Sequence, residues 1–149
     1  SSNREARGPN GTKVMWSDGA EAIYCFAASG VAHFTGVVIG VDFVAEGLST
    51  GAVADDTGIG KQIGWAQTSA ASGSYVWIQT AGRPKGKLAT ACADRVALFT
   101  TATSGVLDDA TISAALVAGV VSKTTISNAT AVTLMVPAGA FIFPFVNPT

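Results

Sequence analysis

The chain has 149 residues, 48% of them hydrophobic and 13% charged, with 17 glycines and a formal net charge of −1. That length suits one domain with a core of its own, and the charge is about half that of an ordinary soluble domain, too little to coat a whole surface. Clustered Lys and Arg of the kind phosphate backbones need are absent, which excludes nucleic acid as the main ligand, while low charge favours a surface partly used by partners.

In chain order, residues 1–13 form a polar arm, SSNREARGPNGTK, that carries Arg4 and Arg7 and contains no apolar face to bury. It reads as an extended terminus that orders against a partner, ahead of a single β-rich domain over 14–149, and it lacks the apolar stretch of a signal peptide. From Val14 the sequence breaks into short runs such as AIYCFAA, VAHFTGVVIGVDFVA, IGWAQT, YVWIQTAG, KLATACA, RVALFTT, ISAALVAGVVS, AVTLMVPAG and AFIFPFV, parted by Gly, Ser, Asp and Asn. Regular short strands with turn signals between them predict an all-β fold, a small β-barrel or β-sandwich. Asp18 and Asp109 precede Ala-rich runs that they could cap as helices, but Ile112, Val117, Val120, Val121 and the internal Gly119 turn the second run toward strand. Residues 22–41 are free of charge over a bilayer-spanning length, yet Ser29, Gly30, His33, Thr35 and Gly36 interrupt them and no basic flank sets an orientation, so no membrane span is expected.

His33, the only histidine, sits between Ala32 and Phe34 in an apolar stretch and is expected in a core or interface with its hydrogen bond satisfied. Cys25 and Cys92 lie in no metal-ligand spacing and read as two buried, reduced thiols, with a disulfide between them as the alternative. The stretch DDTGIGK fails as a phosphate loop, because Asp55 stands where a glycine is needed and Gln62 replaces the Ser or Thr that would touch magnesium. Asp55–Asp56 and Asp108–Asp109 read as solvated turns, since adjacent carboxylates on a strand point to opposite faces. One histidine and scattered carboxylates offer no convergent acid, base and nucleophile, so no catalytic residue, metal or cofactor is expected.

Between Ile63 and Gly82 the phrase Trp-x-Gln-Thr occurs twice, at Trp65–Thr68 and Trp77–Thr80, on either side of the small connector SAASGS. As an antiparallel hairpin it places Trp65 and Gln67 on one face, and Tyr75, Trp77 and Gln79 on one face of the second strand, with cross-strand aromatic pairs contributing on the order of 0.2–1 kcal/mol each. These five residues are expected as core or subunit packing, with an exposed stacking shelf for sugars as the alternative. The loop AGRPKGKL gathers Arg83, Lys85 and Lys87, an ordinary basic loop or a contact for an acidic protein. In the terminal run AFIFPFVNPT, Phe141, Phe143 and Phe145 alternate with Ile142, Pro144 and Val146, and Pro144 confines the strand to an edge or to a break in the ladder. A bare apolar edge is an aggregation hazard, so it is expected to be covered by its own domain or by a neighbouring subunit.

Gly64-Trp65-Ala66-Gln67, the second strand Tyr75-Val76-Trp77-Ile78-Gln79 and the turn Gly82-Arg83-Pro84, followed by TTATSGVLDD, AALVAGVV and a proline-containing terminal strand, resemble the capsid decoration or cement proteins of tailed bacteriophages. The likeness covers roughly Ile63 to Val146 and leaves the first third unmatched. It implies a trimeric β-knob on the outer capsid surface of the virion, made in the host cytoplasm, whose partners are the major capsid protein and itself. On that reading Arg4, Arg7, Arg83, Lys85, Phe141, Phe143 and Phe145 serve capsid or subunit contacts. The competing expectation is a carbohydrate- or receptor-binding β-module of a phage fibre or spike.

Overall fold

A computed structural model of the chain describes residues 11–49, 62–89, 91–109, 115–123 and 131–146. The described residues form strands and turns with no α-helix. They begin with β1 (Lys13–Met15), β2 (Glu21–Ala27), β3 (Gly36–Ile39) and, after a 3-10 turn at Val41–Phe43, β4 (Val44–Gly47). Next come β5 (Gln62–Ala66), β6 (Ser74–Ala81) and β7 (Lys85–Leu88). The chain closes with β8 (Leu98–Thr100), β9 (Val106–Asp108), β10 (Ala115–Ser122) and β11 (Ala131–Val146). Both Ala-rich runs that follow an aspartate are strands, β2 and β10: their β-branched residues pack better on a pleated sheet than against a helical turn. The uncharged run 22–41 is divided between β2 and β3 by a turn, and no helix of the described residues is long and apolar enough to cross a membrane.

The pairings close two rings. In the first, β2 pairs β6, β6 pairs β5, β5 pairs β3, β3 pairs β4, and β4 returns to β2 in parallel. In the second, β7 pairs β11, β11 pairs β10, β10 pairs β8, β8 pairs β9, and β9 returns to β7 in parallel. The fold is therefore barrel rather than sandwich, and closure leaves neither ring an open strand edge of its own. The two circuits have the same chain order, with the single parallel pair in the same place. Corresponding turns agree as well: Gly30 and Phe34 have positive φ of 77° and 61°, and their counterparts Ala91 and Arg95 have 64° and 54°. The Phe34 N–H donates to the Ala66 carbonyl at the end of β5, as the Arg95 N–H donates to the Ser122 carbonyl at the end of β10. Among the described residues the same five-stranded ring order is thus laid down twice in tandem, with β1 added beside β2 outside the first ring.

Alternation sets the interiors. Ile23, Cys25, Ala27, Val37, Ile39, Ala45, Ala66, Val76 and Ile78 fill the first ring. The second is filled by Leu88, Leu98, Leu107, Val117, Val120, Met135 and Ala140, joined by Val38, Ile63 and Trp65 from the outward side of the first. β3 and β5 are thus buried on both faces, like a wall between two rooms. Trp65 passes close to Gly86 of β7, where an added Cβ would sit 2.9 Å from the indole nitrogen. A glycine is what lets the ring lie there.

The C-terminal strand is not an edge. β11 runs between β10 on one side and β7 and β5 on the other. Its register against β10 shifts between the pairs Val117 with Ile142 and Ala115 with Val146, so Pro144 falls in the irregular stretch where no ladder N–H is required. At the other terminus the last residues of the predicted arm, 11–13, are tied to β2, and the rest of the arm lies outside the described residues. The Gly11 N–H donates to the Tyr24 carbonyl, Tyr24 donates back to the Thr12 carbonyl, and Lys13 already belongs to β1.

Candidate functional site

The twin Trp-x-Gln-Thr phrase does form antiparallel β5 and β6, with Trp65 opposite Gln79 and Ala66 opposite Ile78. Alternation in β6 follows the expected faces: Ser74, Val76, Ile78 and Thr80 are buried, and Tyr75, Trp77 and Gln79 are half-buried on the outer side. The two indoles, however, go to different places. Trp65 is completely buried between the rings, and its Nε1 has no hydrogen-bond partner among the described residues. Trp77 lies opposite Tyr24 of β2, with ring centroids 4.9 Å apart. Tyr24 also stacks on Tyr75 at 5.7 Å, and Phe26 meets Tyr75 at 5.2 Å, giving an aromatic patch on the outside of the first ring. Such contacts stiffen a two-strand face as cross-strand pairs do.

Gln67, beyond the end of β5, has another task. Its Nε2 donates to the Lys85 carbonyl at 3.0 Å and its Oε1 accepts from the Lys85 N–H at 3.1 Å. The amide thereby imitates one residue of strand and ties the start of the second ring to the first. The Lys87 N–H donating to the Phe34 carbonyl at 2.9 Å adds a further tie.

The basic loop gathers around the same junction. Arg83 and Lys85 are exposed, and Lys85 Nζ stands 5.4 Å above the Phe34 ring. His33 meets the edge of that ring at 4.9 Å. His33 is exposed in a turn beside the left-handed Phe34, so it is not a core histidine. The Asp108–Asp109 pair is likewise not a solvated turn. Both residues are half-buried, the Asp109 carboxylate accepts from the Ala93 N–H, and Asp108 accepts from the Asp109 N–H. With the Cys92 thiol they bring three donor atoms within 4.8 Å of one another. Burial first, then the neighbouring Asp109 and Asp108 carboxylates, push the Cys92 thiol up to about 11, and burial pushes Cys25 up to about 12. Both cysteines are free and buried, one in each ring, and at neutral pH both are unreactive thiols.

Of the expected contact residues, Arg83, Lys85 and Phe141 are described, and all three are exposed. Arg4, Arg7, Asp55 and Asp56 lie outside the described residues, as do the side chains of Phe143 and Phe145. Phe141 is 39% exposed on the outside of the second ring. Sequence reasoning passed over Met15 and Trp16, which are 74% and 52% exposed at the tip of the β1–β2 hairpin. The available signal was Asp18-Gly19 between two apolar runs, a hairpin turn that projects whatever precedes it. The Asp18 carboxylate accepts from the Ala20 N–H there, and Lys13 pairs with Glu21 at 3.1 Å across the strands. No protein-family model, no curated protein and no solved structure matches the chain.

Proposed function

We propose that the chain is a structural virion protein, a β-barrel knob that seats on the outer capsid surface as a homotrimer and ties neighbouring major capsid subunits together. The observation that carries this reading is the use made of Trp65: the bulkiest side chain of the twin phrase is buried where two barrels meet. A part that must transmit load between subunits gains from being one rigid body. A three-copy knob also multiplies modest contacts through high local concentration. Large apolar side chains at the surface, Met15, Trp16, Phe43 and Phe141, supply contact area in a chain with little charge. The competing reading, a carbohydrate-binding module, draws on the half-buried Trp77 and Tyr75 of the outer patch.

The test is cosedimentation of the purified chain with shells of the major capsid protein from the same phage, beside a truncation lacking residues 1–10. Saturable binding that raises the shells' resistance to heat is the expected result, and weaker occupancy by the truncated chain would assign grip to Arg4 and Arg7. No binding to shells, with tryptophan fluorescence protected from acrylamide by glycans, would replace the knob by the sugar-binding module.

A further inference from the structure

The tandem construction carries an inference about a surface. On the outward side of the first ring, Val38 of β3 is registered with Ile63 of β5, and Trp65 with Gln79 of β6. The second ring repeats this row register for register: Phe99 of β8 lies beside Leu116 of β10, and Ala118 beside Phe141 of β11. Paired residues on neighbouring strands share a face, and so do residues two apart on one strand. Phe99, Leu116, Ala118 and Phe141 therefore make one continuous outward row. In the first ring the corresponding Val38, Ile63 and Trp65 are 1%, 0% and 0% exposed, because the second ring packs over them. In the second ring Phe99, Leu116 and Ala118 are half-buried and Phe141 is 39% exposed.

We propose that the row Phe99–Leu116–Ala118–Phe141 is the self-association surface, covered by a second copy of this chain. The molecule itself shows what this fold uses to cover the equivalent row, namely another barrel of the same fold. None of the four residues carries a charge, and a net charge of −1 gives copies little reason to repel. A contact made by repeating the internal ring-on-ring arrangement is heterologous, the kind that closes into cyclic oligomers when the rotation allows. The inference rests on the homotrimer half of the proposed function, for which it names the interface.

The experiment is light scattering coupled to size exclusion on the full chain, on Ala118→Glu/Phe141→Glu, and on a control, Ser29→Glu/Thr68→Glu, at exposed turns of the first ring. Far-UV circular dichroism and thermal unfolding check each fold. We expect a wild-type mass of three times 15.0 kDa, the same for the control, and a folded monomer for the row variant. A row variant that stays trimeric overturns this interface and leaves the trimer reading standing. A wild-type monomer at all concentrations overturns both. Should the Glu variant not fold, Phe141→Cys gives a second readout, because Cys25 and Cys92 are buried and only the new thiol reacts quickly. Maleimide labelling that slows at least tenfold between dilute and concentrated protein supports the surface, and a rate independent of concentration sinks it.

Discussion

The two rings share a topology and differ in how they are completed. The first fills its interior with its own small and β-branched side chains, none of them drawn from the second. The second is lined by longer residues, Leu88, Leu98, Leu107 and Met135, and finishes its core with Val38, Ile63 and Trp65 borrowed from the first. Dependence therefore runs one way: the second ring loses part of its core if the first moves, whereas the first keeps its own. Duplication of a barrel thus yields two specialised halves, one a self-contained block and the other a cap on it.

Trp65→Ala tests that asymmetry most severely. Truncating a buried tryptophan typically costs about 3–5 kcal/mol, and here the loss should fall on the second ring. Hydrogen exchange is expected to quicken at β8 and β9 before β2 and β6; equal loss in both rings would mean that they unfold as one unit. Trp65→Phe should cost much less, since the indole N–H it removes has no partner to lose.

Gln67→Ala acts on the tie rather than on the core. It deletes the two hydrogen bonds to Lys85 at an exposed position, where water can replace them, so a loss of about 1 kcal/mol is expected. The signature is lost cooperativity between the rings, seen as a broader thermal transition. A sharp transition with unchanged midpoint would show that the remaining backbone ties suffice.

A smaller and opposite effect is expected from Ala91→Gly. Ala91 holds φ at 64° where the first ring has Gly30 at 77°, and its side chain is exposed. Relieving the left-handed strain gains about 1–2 kcal/mol, and the greater freedom of glycine in the unfolded chain returns about 0.5–1, for a net stabilisation of about 0.5–1 kcal/mol. Chemical denaturation measures it directly, and a destabilised variant would refute the equivalence of the two turns.

These comparisons also mark what the sequence made legible. Alternation exposed the strands and the faces of β6, because period-two burial writes itself into Ser74 to Ala81. The barrel duplication stayed hidden, since its equivalent positions pair Gly30 with Ala91 and Phe34 with Arg95, residues alike in backbone angle and unlike in chemistry. The separation of Trp65 from Trp77 was hidden for a related reason. A hairpin fixes which face a residue takes, but a second ring folded onto that face decides how deeply each residue is buried. At β11 the proline left two alternatives, an edge or a break in the ladder, and only the long-range pairing with β10 decides for the break. Only Met15 and Trp16 were readable and overlooked.

The smallest effect is at Asp108, which the second ring holds in the register that Glu46 occupies in the first: Asp108 pairs with Phe99 as Glu46 pairs with Val38. Burial lifts the Asp108 carboxyl above the usual carboxylate range, the Asp109 N–H offsets part of that, and the Asp109 carboxyl adds to the rise. With the folded pKa raised above the unfolded one, the folded state holds the proton more tightly, so the stability it confers is present at acid pH and lost as pH rises through the folded value. Asn keeps the oxygen that accepts from the Asp109 N–H and carries no charge at any pH. Asp108→Asn is therefore expected to melt slightly higher than the wild type at neutral pH, with the gap narrowing as pH falls through the carboxylate range. A gap constant with pH would assign the gain to packing instead. The same substitution removes one of the carboxylates that push Cys92 up, so thiolate absorbance should appear at a lower pH in the variant, which ties the two groups to one cluster peculiar to the second ring.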